Sequence, residues 1–202
     1  MELPDLLMRI VDNHATHARF LNTLSLQENI GARKISASEL PETTTFMVLK
    51  HAAEEHRHAF YLKKQILKLA PGEYLTYRPE ELLVPYSSRL YLNMLDVETC
   101  RYLKKEMQLS GADLKFAAYL LVTYAIEVRA DYIYPIYQQV LDDAQSKVSV
   151  RNIIVEEQGH LEEMIAQLKI FSAEWEVHAK NITILETKLY HKWIAELVKE
   201  IC

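Results

Sequence analysis

The sequence predicts an all-α protein: a bundle of long helices with one long crossover connection and additional short helices. Two observations favour this fold class. Only 4 Gly and 6 Pro occur among 202 residues, far below the roughly 12% that is usual for these two residues, so turns are few and elements are long. Apolar residues recur with a spacing close to 3.6 rather than 2. Both observations argue against an all-β or a doubly wound fold.

The predicted helices cover, in chain order, residues 4–30, 40–69, 89–109, 113–143, 147–173 and 175–200. The first ends near Gly31. Ser38-Glu39-Leu40-Pro41 provides a start signal for the second, and Pro71-Gly72 ends it. A break at Ser110-Gly111-Ala112-Asp113 separates the third predicted helix from the fourth.

One connection in this pattern is long. Residues 71–88 contain three prolines and form the only extended loop, and the whole stretch from 70 to 112 separates the second long helix from the third. We expect the helix over 113–143 to bend near Pro135. Four long helices with a single long connection in the middle are typical of a bundle with one crossover.

The composition indicates one globular domain over residues 1–202. Half of the residues are hydrophobic and a quarter are charged, and 23 Lys and Arg against 28 Asp and Glu give a net charge of −5. This acidic balance disfavours a nucleic-acid partner. The chain shows no CxxC pair, no signal-peptide start and no apolar run of about 20 residues. We therefore expect a cytoplasmic protein without a transmembrane segment.

Two predicted helices carry the same motif, Glu-Glu-x-x-His. Glu55 and His58 in one copy, and Glu157 and His160 in the other, are three residues apart and share one helix face. A carboxylate oxygen and an imidazole nitrogen placed in this way can bind one metal ion. A single Glu-x-x-His is common by chance, so the repetition of the longer motif makes the signal specific.

A further glutamate precedes each motif on the preceding long helix. Glu28 lies 27 residues before Glu55, and Glu127 lies 30 residues before Glu157, as in a duplicated helical hairpin. Glu127 lies in the apolar stretch 119–128, where an unpaired carboxylate is costly. Glu28 lies near a helix end, where a solvated glutamate is equally expected. Four Glu and two His form a ligand set for two metal ions, iron or manganese rather than zinc.

This pattern resembles that of the ferritin-like di-iron carboxylate superfamily over about residues 4–172. The resemblance rests on Glu28, Glu55, His58, Glu127, Glu157 and His160. It implies a ferritin-like four-helix bundle that binds two iron ions, with manganese as the alternative metal. Glu54 and Glu156, together with Arg57, resemble the form of the motif in oxygen-activating members, where the extra carboxylate orients a ligand histidine. The second copy departs from this form, because Gly159 replaces the arginine.

Several other polar residues have both a functional and a structural interpretation. Asp131, one turn beyond the glutamate of its helix, is a candidate to hold the histidine or arginine of the first motif. Tyr124 and Tyr134 are candidates for a redox role by their helical positions, and are otherwise core aromatics. His17 lies on the stripe of its helix that faces the site. His178 is expected on the surface of the last helix.

The resemblance also implies a class of reaction. The missing CxxC module argues against rubrerythrin-like peroxide reductases, and the long connection argues against storage ferritins. We therefore expect a di-iron oxygenase that uses dioxygen and an external electron donor to oxidise or hydroxylate a small organic substrate. The alternatives are a ferroxidase or metal-binding protein without an organic substrate, and a structural protein whose Glu–His pairs face solvent. A homodimer formed through helix faces is compatible with all three.

Overall fold

The computed structural model describes residues 1–40, 42 and 44–202, which form seven α-helices and one short 3-10 helix. The α-helices are, in chain order, α1 (Leu3–Val11), α2 (His14–Ser38), α3 (Phe46–Ile66), α4 (Pro85–Glu106), α5 (Gly111–Asp143), α6 (Arg151–Phe171) and α7 (Trp175–Ile201). No β-strand occurs in these ranges, which confirms the predicted all-α class. Within the same ranges, no helix combines the length and the apolar character needed to cross a membrane.

The first predicted helix is in fact two helices, α1 and α2. The backbone N–H of Thr16 donates to the side chain of Asn13 at 3.0 Å, and this N-cap begins α2. α2 then continues past Gly31 and ends at Ser38. The apolar periodicity runs through both helices, so the spacing of apolar residues did not reveal the break between them.

α3 begins later than predicted, at Phe46. The Thr45 hydroxyl accepts a hydrogen bond from the backbone N–H of Val48 at 3.4 Å and caps the helix. Ser38, which the sequence analysis placed in the start signal of this helix, ends α2 instead. Pro41, from the same start signal, lies outside the described residues. The hydroxyl cap at Thr45 is therefore the start signal that the chain uses.

α4 begins earlier than predicted, at Pro85. Proline fits the first turn of a helix because the N–H that it lacks would have no intrahelical partner there. The predicted loop is correspondingly shorter, and it contains the 3-10 helix Pro79–Glu81. The boundaries of α5, α6 and α7 lie within a few residues of the predicted ones, and Pro135 lies inside α5.

Two apolar clusters form the core. The first includes Leu6, Ile10, Leu21, Leu24, Leu62, Ile133, Tyr137, Ile153 and Trp193. The second includes Ile35, Val48, Ala52, Leu121, Ala125, Met164, Leu168 and Ile182. Each of α2, α3, α5 and α6 contributes one of its ends to the first cluster and the other end to the second. Between these ends the four helices carry, respectively, Glu28, Glu55, Glu127 and Glu157. The four glutamates therefore lie at the junction of the two clusters.

The four helices run between the two clusters in two opposite directions. α2 and α6 run from the first cluster to the second, whereas α3 and α5 run from the second to the first. α2 packs on α3, and α5 packs on α6, so each of these pairs is antiparallel. α4 and α7 pack against each other and against α5. Both helices contribute residues to both apolar clusters.

Candidate metal centre

Four helices bring the six predicted ligand residues together. α2 contributes Glu28, α5 contributes Glu127, and α3 and α6 each contribute one Glu-x-x-His pair. The ligand atoms form two groups, and within each group they lie within 4.8 Å of one another. The first group is Glu28, Glu55, His58 and Glu157, and the second is Glu55, Glu127, Glu157 and His160. Glu55 and Glu157 belong to both groups, so these buried clusters can hold a metal ion in either group and share two carboxylates between them.

The cluster is shielded from solvent. Glu55, Glu127 and Glu157 are 7%, 2% and 3% exposed, and both histidines are 2% exposed. Burial, and then the negative charge of the neighbouring carboxylates, raises the pKa of Glu55 and of Glu127 well above the usual range. This burial disagrees with the structural interpretation, which requires Glu–His pairs that face solvent.

A carboxylate from the opposite helix orients each histidine of the cluster. Nε2 of His58 on α3 lies 2.9 Å from a carboxylate oxygen of Glu156 on α6. Nε2 of His160 on α6 lies 2.7 Å from a carboxylate oxygen of Glu54 on α3. The first glutamate of each motif therefore supports the histidine of the other motif. Both rings are held with Nδ1 towards the cluster, which is how an outer carboxylate fixes the tautomer and direction of a ligand histidine.

Arg57 connects the two outer carboxylates. Its guanidinium lies 2.7 Å from Glu156 and 3.5 Å from Glu54. The predicted grouping of these three residues around the histidines is therefore present in the structure. Asp131 does not take the position proposed for it: it is exposed on α5, and the partners of His58 and Arg57 are the two glutamates.

The donor set fits a cation. Nδ1 of His58 lies 3.0 Å from Glu157 but has no hydrogen-bond partner, and the buried Oε2 of Glu127 has none either. Leaving buried polar atoms unpaired costs about 1–3 kcal/mol each, and a metal ion among these oxygens and nitrogens would satisfy both. Carboxylate and imidazole ligands suit iron and manganese. Burial lowers the pKa of His58, but the interaction with Glu157 and the charge of Glu28 outweigh this effect and raise the pKa to about 9, as expected for an imidazole among carboxylates.

The two predicted tyrosines have different surroundings. The Tyr134 hydroxyl donates to a carboxylate oxygen of Glu28, and burial together with the Glu28 charge raises the Tyr134 pKa well above the usual range. Tyr134 therefore stays protonated beside the cluster. Tyr124, by contrast, packs edge-on against Trp175 of α7 with ring centroids 6.3 Å apart. Its side chain points in a different direction from that of Tyr134, because a separation of ten residues is about 2.8 turns of helix and leaves the two side chains about 80° apart.

A hydrogen-bonded group that was not predicted from the sequence lies beside the second set of candidate ligands. His51 Nδ1 lies 2.8 Å from the Tyr119 hydroxyl, and His51 Nε2 lies 2.9 Å from Glu163. The His51 ring also packs against His160, with centroids 5.0 Å apart. The signal was present in the spacing, since His51 lies four and seven residues before two of the ligands on α3, on the same helix face.

A buried ion pair was missed as well. Arg129 on α5 donates two hydrogen bonds, at 2.8 Å and 2.7 Å, to the carboxylate of Glu186 on α7. Tyr91 on α4 donates to the same carboxylate, and the Arg129 guanidinium lies 3.9 Å from the centre of the Tyr190 ring. The helical spacing of apolar residues in α7 indicates that one face of the helix is buried. This spacing does not predict that a charged residue, Glu186, lies on the buried face.

Two histidines outside the cluster differ from their predicted surroundings. His178 is buried, and its Nδ1 forms a 2.8 Å hydrogen bond with the Tyr102 hydroxyl. It therefore does not lie on the solvent-exposed face of α7. His17 is buried in the first apolar cluster, where Nε2 lies 2.7 Å from the Tyr137 hydroxyl. Neither residue contributes to the carboxylate–histidine cluster, and both have an ordinary hydrogen-bond partner in the core.

A cavity of about 340 Å³ adjoins the cluster. It lies among α2, α4 and α5 and reaches α3 at Glu55 and α7 at Trp193. Glu28, Glu55 and Glu127 form part of its wall, together with the Tyr134 ring, and apolar side chains form most of the remainder. This volume is in the range of small-molecule sites, which are typically lined by apolar groups with a few polar ones.

Comparisons of the chain with protein-family models, with curated protein sequences and with solved structures find no match.

Proposed function

We propose that this chain is a ferritin-like, non-haem di-iron protein, with iron and manganese as an alternative metal pair, that uses dioxygen to oxidise or hydroxylate a small organic substrate. The single observation that carries the proposal is the sharing of Glu55 and Glu157 between two ligand groups, each completed by one histidine and one further glutamate. Two carboxylates common to two sites are what a dinuclear centre requires.

The path of the chain supports the ferritin-like part of the proposal. α2 and α3 are antiparallel, α5 and α6 are antiparallel, and α3 and α5 run in the same direction between the two apolar clusters. The connection from α3 to α5 must therefore return along the length of the molecule, and it contains α4. This arrangement agrees with a four-helix bundle of α2, α3, α5 and α6 with one long crossover.

The protein residues have separate roles in the proposed chemistry. A pair of ferrous ions in the cluster would supply the two electrons needed to reduce dioxygen, and an external donor would restore them. Glu156 and Glu54 hold the two imidazoles in place. Tyr134 keeps a proton beside Glu28, at the wall of the cavity. The apolar lining limits the access of water to a substrate beside the cluster.

The cavity supports an organic substrate over the alternative of a simple ferroxidase. Iron oxidation alone needs a route for ions and dioxygen, but it does not need an apolar cavity of about 340 Å³. An apolar cavity that reaches three of the carboxylates suits a small organic molecule held at the cluster.

The test begins with the metal content of the full chain after anaerobic reconstitution with ferrous iron. We expect close to two ions per chain, none in the double variant Glu127→Ala/Glu157→Ala, and about one in Glu28→Gln, because Glu28 belongs to one group only. Circular dichroism on the variants verifies that they fold. A wild-type chain that binds no stoichiometric metal would overturn the proposal, and two ions retained in Glu28→Gln would remove that residue from the ligand set.

Dioxygen uptake then separates the two reactions. With an electron donor present, an oxygenase consumes dioxygen repeatedly when a substrate is added and incorporates oxygen from it into the product. A ferroxidase instead consumes dioxygen only in proportion to the ferrous iron supplied. Isotope-labelled dioxygen followed by mass spectrometry of the product distinguishes these outcomes.

A further inference from the structure

The cavity extends well beyond the cluster. On α5 its wall runs from Lys115 to Tyr134, a separation of nineteen residues that corresponds to about 28 Å of helix rise. A spherical space of 340 Å³ would be only roughly 9 Å across, which is about a third of this helix rise. The cavity is therefore elongated. The C-terminal end of α2 and the N-terminal end of α5 lie at one end, the glutamates of the cluster lie partway along it, and Leu24, Ile133 and Trp193 lie at the other end.

The far end opens at the surface and carries a net positive charge. Lys115 and Ala37 are exposed there, and Lys34 is half-buried. Lys34 forms a 3.0 Å ion pair with Asp96 of α4, whereas Lys115 forms no ion pair with any described residue. Two ammonium groups thus meet one carboxylate at the mouth of the cavity, in a chain whose overall charge is −5.

A glycine keeps the passage between the mouth and the carboxylates open. Gly31 lies inside α2, where glycine costs roughly 1 kcal/mol relative to alanine. It lines the cavity between Lys34 and Glu28, and a Cβ atom at this position would meet only Oε2 of Glu55, at 3.8 Å. Alanine would fit at this distance, whereas a longer side chain would extend into the passage.

We propose that this cavity binds a linear aliphatic carboxylate, a fatty acid of medium chain length, with its carboxylate at Lys115 and Lys34 and its chain directed inward past Gly31. This inference rests on the proposed function and names the class of substrate. The elongated apolar shape selects a single chain over a compact ring system. The net charge of one at the mouth matches a monoanionic head group.

The same charges determine the direction of the ligand. A carboxylate directed inward would lie beside Glu28, Glu55 and Glu127, where like charges repel in a buried environment. The aliphatic chain therefore lies next to the cluster, and the head group stays at the mouth, where water and the lysines solvate it.

Calorimetric titration of the metal-free full chain with decanoate tests the proposal directly. We expect saturable binding at one site, weaker binding of decan-1-ol, and no binding of decyltrimethylammonium. Lys115→Glu lowers the affinity for decanoate about tenfold and leaves the affinity for the alcohol unchanged. Asp96→Asn raises the affinity for decanoate, because it frees Lys34. Lys105→Glu, an exposed charge at the end of α4 that does not line the cavity, is the matched control and leaves both affinities unchanged.

Gly31→Leu tests the path of the chain. This variant closes the inner part of the cavity, so it lowers the affinity for decanoate while hexanoate, which remains near the mouth, binds as before. Gly31→Ala binds both acids like the wild type and controls for the change of residue in the helix. Decanoate binding that is absent, or that is equal in Lys115→Glu and Gly31→Leu to the wild type, would overturn the inference.

A parallel titration of the same protein with manganese separates this inference from the proposed function. Manganese binding without decanoate binding rejects the fatty acid and leaves the metal centre standing. Decanoate binding without manganese binding upholds the cavity ligand and rejects the metal centre.

Discussion

His58 on α3 and Glu156 on α6 are joined by a 2.9 Å hydrogen bond between Nε2 and the carboxylate. A 2.7 Å bond between His160 on α6 and Glu54 on α3 repeats this relationship in the opposite direction. The two copies of the motif thus support each other, because each helix supplies a candidate ligand histidine and the carboxylate that holds the histidine of the other helix.

Glu156→Ala should weaken metal binding without removing a ligand. We expect the apparent affinity for ferrous or manganous ions to fall about 10- to 100-fold, the usual cost of losing the carboxylate that orients a ligand histidine. Anaerobic metal titration followed by equilibrium dialysis measures the change. Glu162→Ala, an exposed glutamate on the same helix, is the matched control. Equal affinities in both variants would show that the crossed hydrogen bonds do not support the site.

Glu127→Gln should stabilise the metal-free protein. Burial and the neighbouring carboxylates raise the pKa of Glu127, which means that its charged form is unfavourable in the folded chain at neutral pH. The neutral amide has the same shape, so we expect the free energy of unfolding to rise by roughly 1–2 kcal/mol. Urea unfolding measures this change. Added manganese should stabilise the wild type, by about 2.7 kcal/mol at a concentration 100 times the dissociation constant, and the variant far less. A metal-free variant that is less stable than the wild type would contradict the role of Glu127 as a functional charge.

Tyr134→Phe should affect the ligand group that contains Glu28. The Tyr134 hydroxyl donates to the Glu28 carboxylate, and hydrogen bonds to charged groups are worth about 1.5–3 kcal/mol. We therefore expect about a tenfold loss of affinity for one of the two ions. Tyr124→Phe, on the face of α5 that contacts Trp175, should bind both ions normally. Stepwise titration with ferrous iron resolves the two events, and identical curves for the two variants would count against Tyr134.

The contribution of His17 to the stability of the protein should fall as the pH decreases from about 6.5 to about 4. The raised pKa values of Glu55 and Glu127 act in the opposite direction, because the folded state binds these protons more tightly than the unfolded chain. Burial, with a smaller contribution from His14, lowers the pKa of His17 to about 4, so His17 stays neutral in the folded state over this range. The unfolded chain, whose histidine titrates near its ordinary value, takes up the proton. The contribution of His17 therefore decreases with falling pH, by roughly 3 kcal/mol over the whole range.

Replacing His17 by Gln removes this titration. Urea unfolding at several pH values should show that the stability of His17→Gln, relative to that of the wild type, rises as the pH falls from 6.5 to 4. The corresponding variant of the exposed His191 should match the wild type. A wild-type slope retained in His17→Gln would place the origin of the pH dependence elsewhere.

The sequence by itself determined the helical class and the six ligand candidates, because both depend on local spacing. Apolar residues at a period of 3.6 predict helices wherever they occur, and a three-residue separation places Glu55 and His58 on one helix face whatever surrounds them. Helix boundaries were less accurate. The caps at Asn13 and Thr45 interrupt or begin helices through single side-chain hydrogen bonds, which the periodicity does not reveal.

Only the tertiary structure decided which residues meet across helices. Glu156 contacts a histidine 98 residues earlier in the chain, and Arg129 on α5 forms an ion pair with Glu186 on α7. No local pattern encodes such pairs, because they depend on the rotation and the register of packed helices. For the same reason Asp131, correctly placed on α5, faces solvent rather than the cluster, and the cavity along α2, α4 and α5 has no counterpart in the sequence.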